Sequence, residues 1–223
     1  MPTPPRTSRE AIVAAGRAIL AHEGMPGLTM QRVGAEVGVR APSLYKHVPS
    51  RSALIRLVAE DVVTEVQGLL EGAATTGDPG EDLRGLAVTL REFACRDPHG
   101  FDLLFTPLPA DAAPDVSTFA AAAGPVLRVV EELAGPDHAL DAARTVTAWA
   151  SGFLRMELAG AFQLGGDVSQ AFEFGLDTLI SALDRRVITA RQHPRRFAQR
   201  TASLHADVAA TNVAEVLDIL DSE

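Results

Sequence analysis

Residues 29–48, TMQRVGAEVGVRAPSLYKHV, spell two short helices hinged at Gly38. Thr29 stands where an N-cap belongs, its side-chain oxygen available to the free N–H groups of the first turn. Met30, Val33 and Val37 follow at helical spacing and are expected to face inward. Gly38 ends the first helix because glycine takes left-handed backbone without a steric penalty. Arg40 to Val48 is read as the second, with Pro42 in the first turn, where a missing N–H does no harm, and Pro49 as its stop. Two short helices across a tight turn make a helix-turn-helix, whose second helix lies in the major groove of DNA. The same pattern also occurs in ordinary helical bundles, so the flanking sequence has to be weighed with it.

On the N-terminal side, Thr7 and Glu10 have capping-box spacing. Ile12, Ala15, Ile19 and Leu20 then mark one face of a helix that Gly24 and Pro26 end. On the C-terminal side, Ser50 caps a fourth helix expected to run to about Leu70, with Leu54, Leu57, Val58 and Val62 on one side. A Gly/Thr/Asp/Pro cluster between Gly72 and Gly80 reads as a loop. Helices are expected over Glu81–Arg96, Val116–Leu133, Leu140–Phe162 and Ser169–Arg186, with a kink or break at Gly124-Pro125. Phe101–Phe105 reads as a short apolar turn and Thr106–Pro114 as irregular. Ala206–Leu220 has the spacing of one more helix. The expected class is all-α. A three-helix head, 1–56, is joined by the fourth helix to a larger helical body, 57–186, followed by a C-terminal extension, 187–223.

Hydrophobic residues make up 47% of the 223, enough for a core. The single cysteine, Cys95, permits neither an internal disulfide nor a cysteine-based metal site, and no cofactor is expected. No apolar run approaches the ~20 residues of a membrane span. The first ten residues lack the apolar stretch of a secretory signal, so a cytoplasmic location is expected. The six histidines are scattered singly, with no zinc-hydrolase pair, phosphate-binding glycine loop or nucleophile elbow, which argues against an enzyme.

The net charge of −9 conceals a division. Residues 1–56 carry eight arginines and lysines against three glutamates, a net +5, leaving −14 on the remainder. A basic head on an acidic body points to nucleic acid as the partner of the head. Arg40, Ala41, Pro42 and Ser43 would then lie nearest the base edges, where Ala41 and Pro42 can meet a thymine methyl and Ser43 can donate or accept. Lys46 can reach a guanine or a phosphate. Tyr45 and His47 can reach flanking phosphates, and Arg51 adds charge at a helix N-terminus suited to an anion.

Leu28-Thr29, Val33, Gly38-Val39, Pro42 to Val48, Arg51 and Ala53-Leu54 closely resemble the DNA-binding region of the TetR family of bacterial transcriptional regulators. The resemblance spans residues 8–56. It implies DNA contacts at Thr29, Ser43, Tyr45, Lys46, His47 and Arg51, and places Gln31 and Ala41 where some members touch bases. Many members have Ser or Thr at the position of Arg40 and Phe at that of Val48. Ser151-Gly152-Phe153, Met156-Glu157, Gly160, Phe162 and Ala171-Phe172 resemble the closing helices of one subgroup, in which many members read His-Gly-Phe.

The resemblance implies a repressor on a near-palindromic operator, released by a small, largely apolar effector. It also implies a homodimer through the helices 140–162 and 169–186, where Leu176, Leu179, Ile180 and Leu183 recur at helical spacing. Candidate effector-contacting residues are Phe93, Phe105, Phe119, Trp149, Phe153 and Glu157. The last three share a helix face at i, i+4 and i+8, although such a stripe also serves as plain core. A buried Glu157 needs a partner, such as an effector hydroxyl or amine. The alternative is a helical ligand-binding or scaffold protein without specific DNA binding.

Overall fold

The computed structural model describes residues 8–190, with side chains to residue 184. Thr7 of the expected capping box, the expected helix over 206–220 and most of the 187–223 extension lie outside the described residues. Among those described there are nine α-helices, one 3₁₀ turn and no strand. The helices are α1 (Arg9–Gly27), α2 (Met30–Glu36), α3 (Ala41–Leu44), α4 (Arg51–Ala73), α5 (Pro79–Arg96), α6 (Pro98–Phe105), α7 (Val116–Ala134), α8 (Ala139–Leu158) and α9 (Val168–Ala190).

Ser8 caps α1, accepting from the Ala11 N–H at 3.1 Å. Within α1, Gly24 takes φ +65°, so the regular helix breaks where its glycine and Pro26 suggest, and one further turn reaches Gly27. Thr29 and Ser50 cap α2 and α4 through the N–H groups of Arg32 and Ala53. Gly38, at φ +75°, makes the hinge. Gly34, in α2, leaves room for the Val39 carbonyl, which lies 3.0 Å from where a Cβ would stand.

The helix expected over Arg40–Val48 is shorter than that reading. Only Ala41–Leu44 is helical, and Tyr45–His47 form a turn. Arg40 occupies the N-cap without a side-chain cap bond. Leu44 and Val48 are both fully buried, so an apolar peg stands at each end of the turn, and the His47 and Val48 N–H groups both donate to the Leu44 carbonyl at 2.8 Å.

In the body, Asp97-Pro98 ends α5 and also starts α6. The Asp97 carboxylate accepts from the Gly100 N–H at 2.8 Å, and Pro98 sits in the first turn. The expected apolar turn at 101–105 is therefore the second half of a helix. No break occurs at Gly124-Pro125, since α7 is continuous and Pro125 is buried within it. Helix α8 stops at Leu158 rather than Phe162. Gly160 at φ +62° turns the chain, the Ala161 N–H returns to the Met156 carbonyl and the Gly160 N–H to that of Glu157, a Schellman cap. Helix α9 begins one residue before the expected Ser169 and continues to Ala190.

Helices α1 to α4 share one core, including Ile12, Ile19, Leu20, Val33 and Leu54. Helix α4 then continues into the body, where α7 packs against α4, α5, α8 and α9. The core is continuous from head to body, and α4 belongs to both.

Candidate DNA interface and effector cavity

The outer face of the α2–α3 unit gathers the polar residues singled out by sequence. Gln31, Arg40, Pro42, Ser43, Tyr45, Lys46, His47 and Arg51 are exposed, while Thr29 and Ala41 are half-buried. Tyr45 is 52% exposed, high for a tyrosine that neighbours a fully buried leucine. The face is therefore a projecting surface rather than packing material.

Arg51 has a second occupation. Its Nε donates to the Leu28 carbonyl at 2.7 Å and an Nη to the Met25 carbonyl at 2.9 Å. The Met25 carbonyl belongs to the last turn of α1 and the Leu28 carbonyl follows that helix, so Arg51 binds the start of α4 to the end of α1. Arg32, which sequence reading left unassigned, lies between Glu23 and Glu36 at 2.8 Å each. The hydrogen bonds it donates to Glu23 first and Glu36 second hold its guanidinium above the ordinary value.

The six aromatic and acidic residues expected to line one pocket separate into three places. Phe105 and Phe119 line an apolar cavity of about 90 Å³ between α4, α5, α6, α7 and α8. Phe93 is fully buried in the core, with the Arg96 guanidinium 5.5 Å from its ring centroid. Trp149 and Phe153 belong to an aromatic cluster with Phe172 and Phe162, in which Trp149 stacks on Phe172 at 5.2 Å. Gly175 makes that stacking possible, because a Cβ there would meet the Trp149 ring at 2.6 Å.

Glu157 already has its partner. Arg91 grips it through two nitrogens, reaches Ser169 with one of them, and lies 4.9 Å over the Phe172 ring. The hydrogen bond to Glu157 raises the Arg91 guanidinium above its ordinary value. Trp149, Phe153 and Glu157 thus join α8 to α9 and α5, and do not line the cavity.

The face expected to join two subunits also divides. Leu176 and Leu183 are buried within the subunit, and Ile180 packs against its core. Among the described residues, the large apolar side chains left open on and after α8 and on α9 are Met156, Leu158, Phe162, Leu164 and Phe174.

Contacts between head and body are specific. Arg17 of α1 meets Asp61 and Glu65 of α4 and Asp97 at the start of α6. Arg96 meets the same Glu65. The His99 ring of α6 lies 3.1 Å from where a Cβ at Gly24 would stand, in the break of α1. Arg56 of α4 donates to the Ala110 carbonyl in the α6–α7 loop at 3.2 Å. Leu104 and Phe105, at the other end of α6, line the cavity, so one short helix touches both head and cavity.

Sequence reading missed Val63, Val66 and Leu70 of α4, Ala122 and Ala123 of α7, and Thr147 of α8 as cavity lining. The alanine run from Ala120 to Ala123, ahead of Gly124, was the available signal. Side chains that small leave space beside a helix.

Residues 12–58 match the family described as bacterial regulatory proteins, tetR family, and residues 83–179 match a tetracyclin repressor-like C-terminal domain. An uncharacterized HTH-type transcriptional regulator of Mycobacterium tuberculosis, Rv0681, is 27% identical over 82% of this chain and 84% of its own. The class C tetracycline repressor protein of Escherichia coli is 36% identical over 26% of this chain and 27% of its own. A TetR variant from Acinetobacter baumannii AYE in complex with minocycline shares the fold, with a TM-score of 0.60 at 24% identity over 80% of this chain and 97% of that one.

Proposed function

Since the chain belongs to the TetR family and is a DNA-binding transcriptional regulator, we propose that it is a cytoplasmic homodimeric repressor that leaves a near-palindromic operator when a small, largely apolar effector fills the body. The observation that carries the proposal is the exposed row Ser43, Tyr45, Lys46 and His47, supported on buried Leu44 and Val48. Such a row offers hydrogen-bond donors and a cation to the major groove while its backbone stays fixed. Ser43, Ala41 and Pro42 are assigned to base edges, with Gln31 and Arg40 beside them. Tyr45, Lys46, His47 and Thr29 are assigned to flanking phosphates, along with whatever capacity Arg51 keeps beyond its two carbonyls.

One short reading helix buries too little for tight specific binding, so two heads on a two-fold axis are needed. Met156, Phe162, Leu164 and Phe174 supply the exposed apolar side chains for pairing through α8 and α9. The Arg91–Glu157 pair braces these helices from within the subunit.

Effector binding changes head spacing through α4 and α6, which line the cavity and touch the head. The effector acts only through its differential affinity for the two spacings, worth ~1–3 kcal/mol in typical allosteric coupling. Fluorescence anisotropy with palindromic duplexes from the region upstream of the gene tests the reading. Specific binding should fall steeply with salt, as phosphate contacts require. Binding that is indifferent to salt, or equal on scrambled duplexes, would overturn it in favour of a ligand-binding or scaffold role.

A further inference from the structure

Eleven of the twelve residues around the cavity are apolar, and Thr147 is the exception. Among the described residues, no ionisable side chain lines the space. The charges that could have served an effector are committed elsewhere. Glu157 is held by Arg91, and Arg84 by Glu173 and Asp177. Arg155, 5.9 Å from the Phe105 ring centroid, faces Asp102 at 3.4 Å and does not line the cavity. A charged molecule entering here would lose its hydration and find no counterion.

The helical threonines of this chain fall into two groups. Thr64, Thr145 and Thr178 each donate a hydroxyl to the carbonyl four residues back, at 2.7 Å. Among the described residues Thr89, Thr118 and Thr147 show no such bond, and of these three Thr147 alone lines the otherwise apolar space. An unspent hydroxyl there is a hydrogen-bonding point for a ligand oxygen.

Size narrows the class further. An apolar protein cavity of ~150 Å³ accepts benzene and stays dry when empty. At about 90 Å³, this space favours a molecule of about one ring over a larger one.

We infer that the cavity takes a neutral, compact, hydrocarbon-rich molecule carrying one oxygen function that pairs with the Thr147 hydroxyl, and that it excludes both cations and anions. This rests on the regulator reading only in calling that molecule the effector, because binding to the cavity can be measured on the protein without DNA.

The test uses four probes of one shape on the full-length protein, followed by calorimetry and amide chemical shifts: toluene, benzyl alcohol, benzoate and benzylammonium. Toluene and benzyl alcohol should bind, and the two ions should bind at least about 30-fold more weakly. Thr147→Val should weaken benzyl alcohol roughly 2- to 10-fold and leave toluene unchanged or slightly tighter. Ala122→Leu should abolish binding of both neutral probes, its melting curve and helical circular dichroism showing that it folds. Benzoate or benzylammonium binding as well as benzyl alcohol would overturn the inference. So would benzyl alcohol affinity indifferent to Thr147→Val, probe binding that survives Ala122→Leu, or no binding of any probe at millimolar concentration. Operator release is assayed separately. If the neutral probes bind in the Thr147-dependent pattern but none releases DNA, the cavity chemistry stands and the regulatory reading fails.

Discussion

In the head, Tyr45, Lys46 and His47 project into solvent from a turn anchored by two buried residues, Leu44 and Val48. In the body, the cavity draws its walls from five helices and keeps its chemistry inside, with Thr147 the polar residue among its described lining. The head surface comes from consecutive residues, so a substitution there should change contacts while the scaffold survives. The cavity comes from residues as far apart as Val63 and Thr147, so a change at a helix crossing should move the site without touching it. Beside the continuous core through α4, charged and close-packed contacts around Arg17, Asp97 and His99 join the two regions.

The largest effect is expected from Tyr45→Ala combined with Lys46→Ala. Each removed hydrogen bond to a charged phosphate is worth ~1.5–3 kcal/mol, so the pair should weaken operator binding by on the order of 100-fold or more. Anisotropy titration measures the loss, and the melting midpoint should hold, since surface changes usually stay within about 0.5 kcal/mol. A large fall in stability instead would mean that the exposed turn is part of the scaffold, and the contrast with the body would break.

Next comes the crossing of α4 and α5. A Cβ at Gly85 would lie 2.7 Å from the Ala73 carbonyl oxygen, and backbone cannot step aside as a flexible side chain can. Gly85→Ala should therefore cost about 1–3 kcal/mol in chemical denaturation. Gly68, in the middle of α4 with nothing within 4 Å, is its control. Gly68→Ala should stabilise by up to ~1 kcal/mol through helix propensity. Equal effects at the two glycines would show that close approach does not govern this crossing.

Arg17→Gln probes the junction. The Arg17 side chain is 18% exposed and Asp97 13%, so solvent screens the network only in part. A stability loss of about 1–2 kcal/mol is expected, between the values for exposed and buried pairs. Basal operator affinity should change less than effector-induced release, measured by titrating effector into the protein–DNA complex. Full release at unchanged effector concentration would remove Arg17 from the coupling route.

The smallest effect is expected from Arg51→Lys. Lysine keeps the charge but lacks the planar fork that reaches two carbonyls together. Losing one of those bonds should cost about 1 kcal/mol. Hydrogen exchange at the Leu28 and Thr29 amides should rise, with operator binding only a few-fold weaker. If DNA affinity falls steeply while exchange is unchanged, Arg51 serves the phosphate rather than the turn.

Much of the head was legible because its signals are local. Thr29 and Ser50 announce caps within three residues of their partners, and Gly38 announces a turn by its own conformational freedom. The length of α3 was not legible. Helical spacing of Leu44 and Val48 suits a helix and also suits a turn pegged at both ends, and only packing tells them apart. In the body, Asp97-Pro98 reads as a stop, yet the same pair starts α6, because an aspartate can close one helix and cap the next. The stripe Trp149, Phe153 and Glu157 shares one face as its spacing says, but spacing does not say what that face meets. It meets α9 and Arg91 instead of the cavity.

By itself, the sequence determined the all-helical class, the place of the reading unit, the charge division between head and body, and the family to which the chain belongs. These depend on interactions between residues a few positions apart, or on composition alone. The tertiary structure decided where the cavity lies, that Glu157 is spent on Arg91, that Arg51 holds a turn, and that α6 touches both head and cavity. Those are contacts between residues dozens of positions apart. They depend on how α4, α7 and α8 cross, and a helix face records its own apolarity without recording which neighbour will cover it.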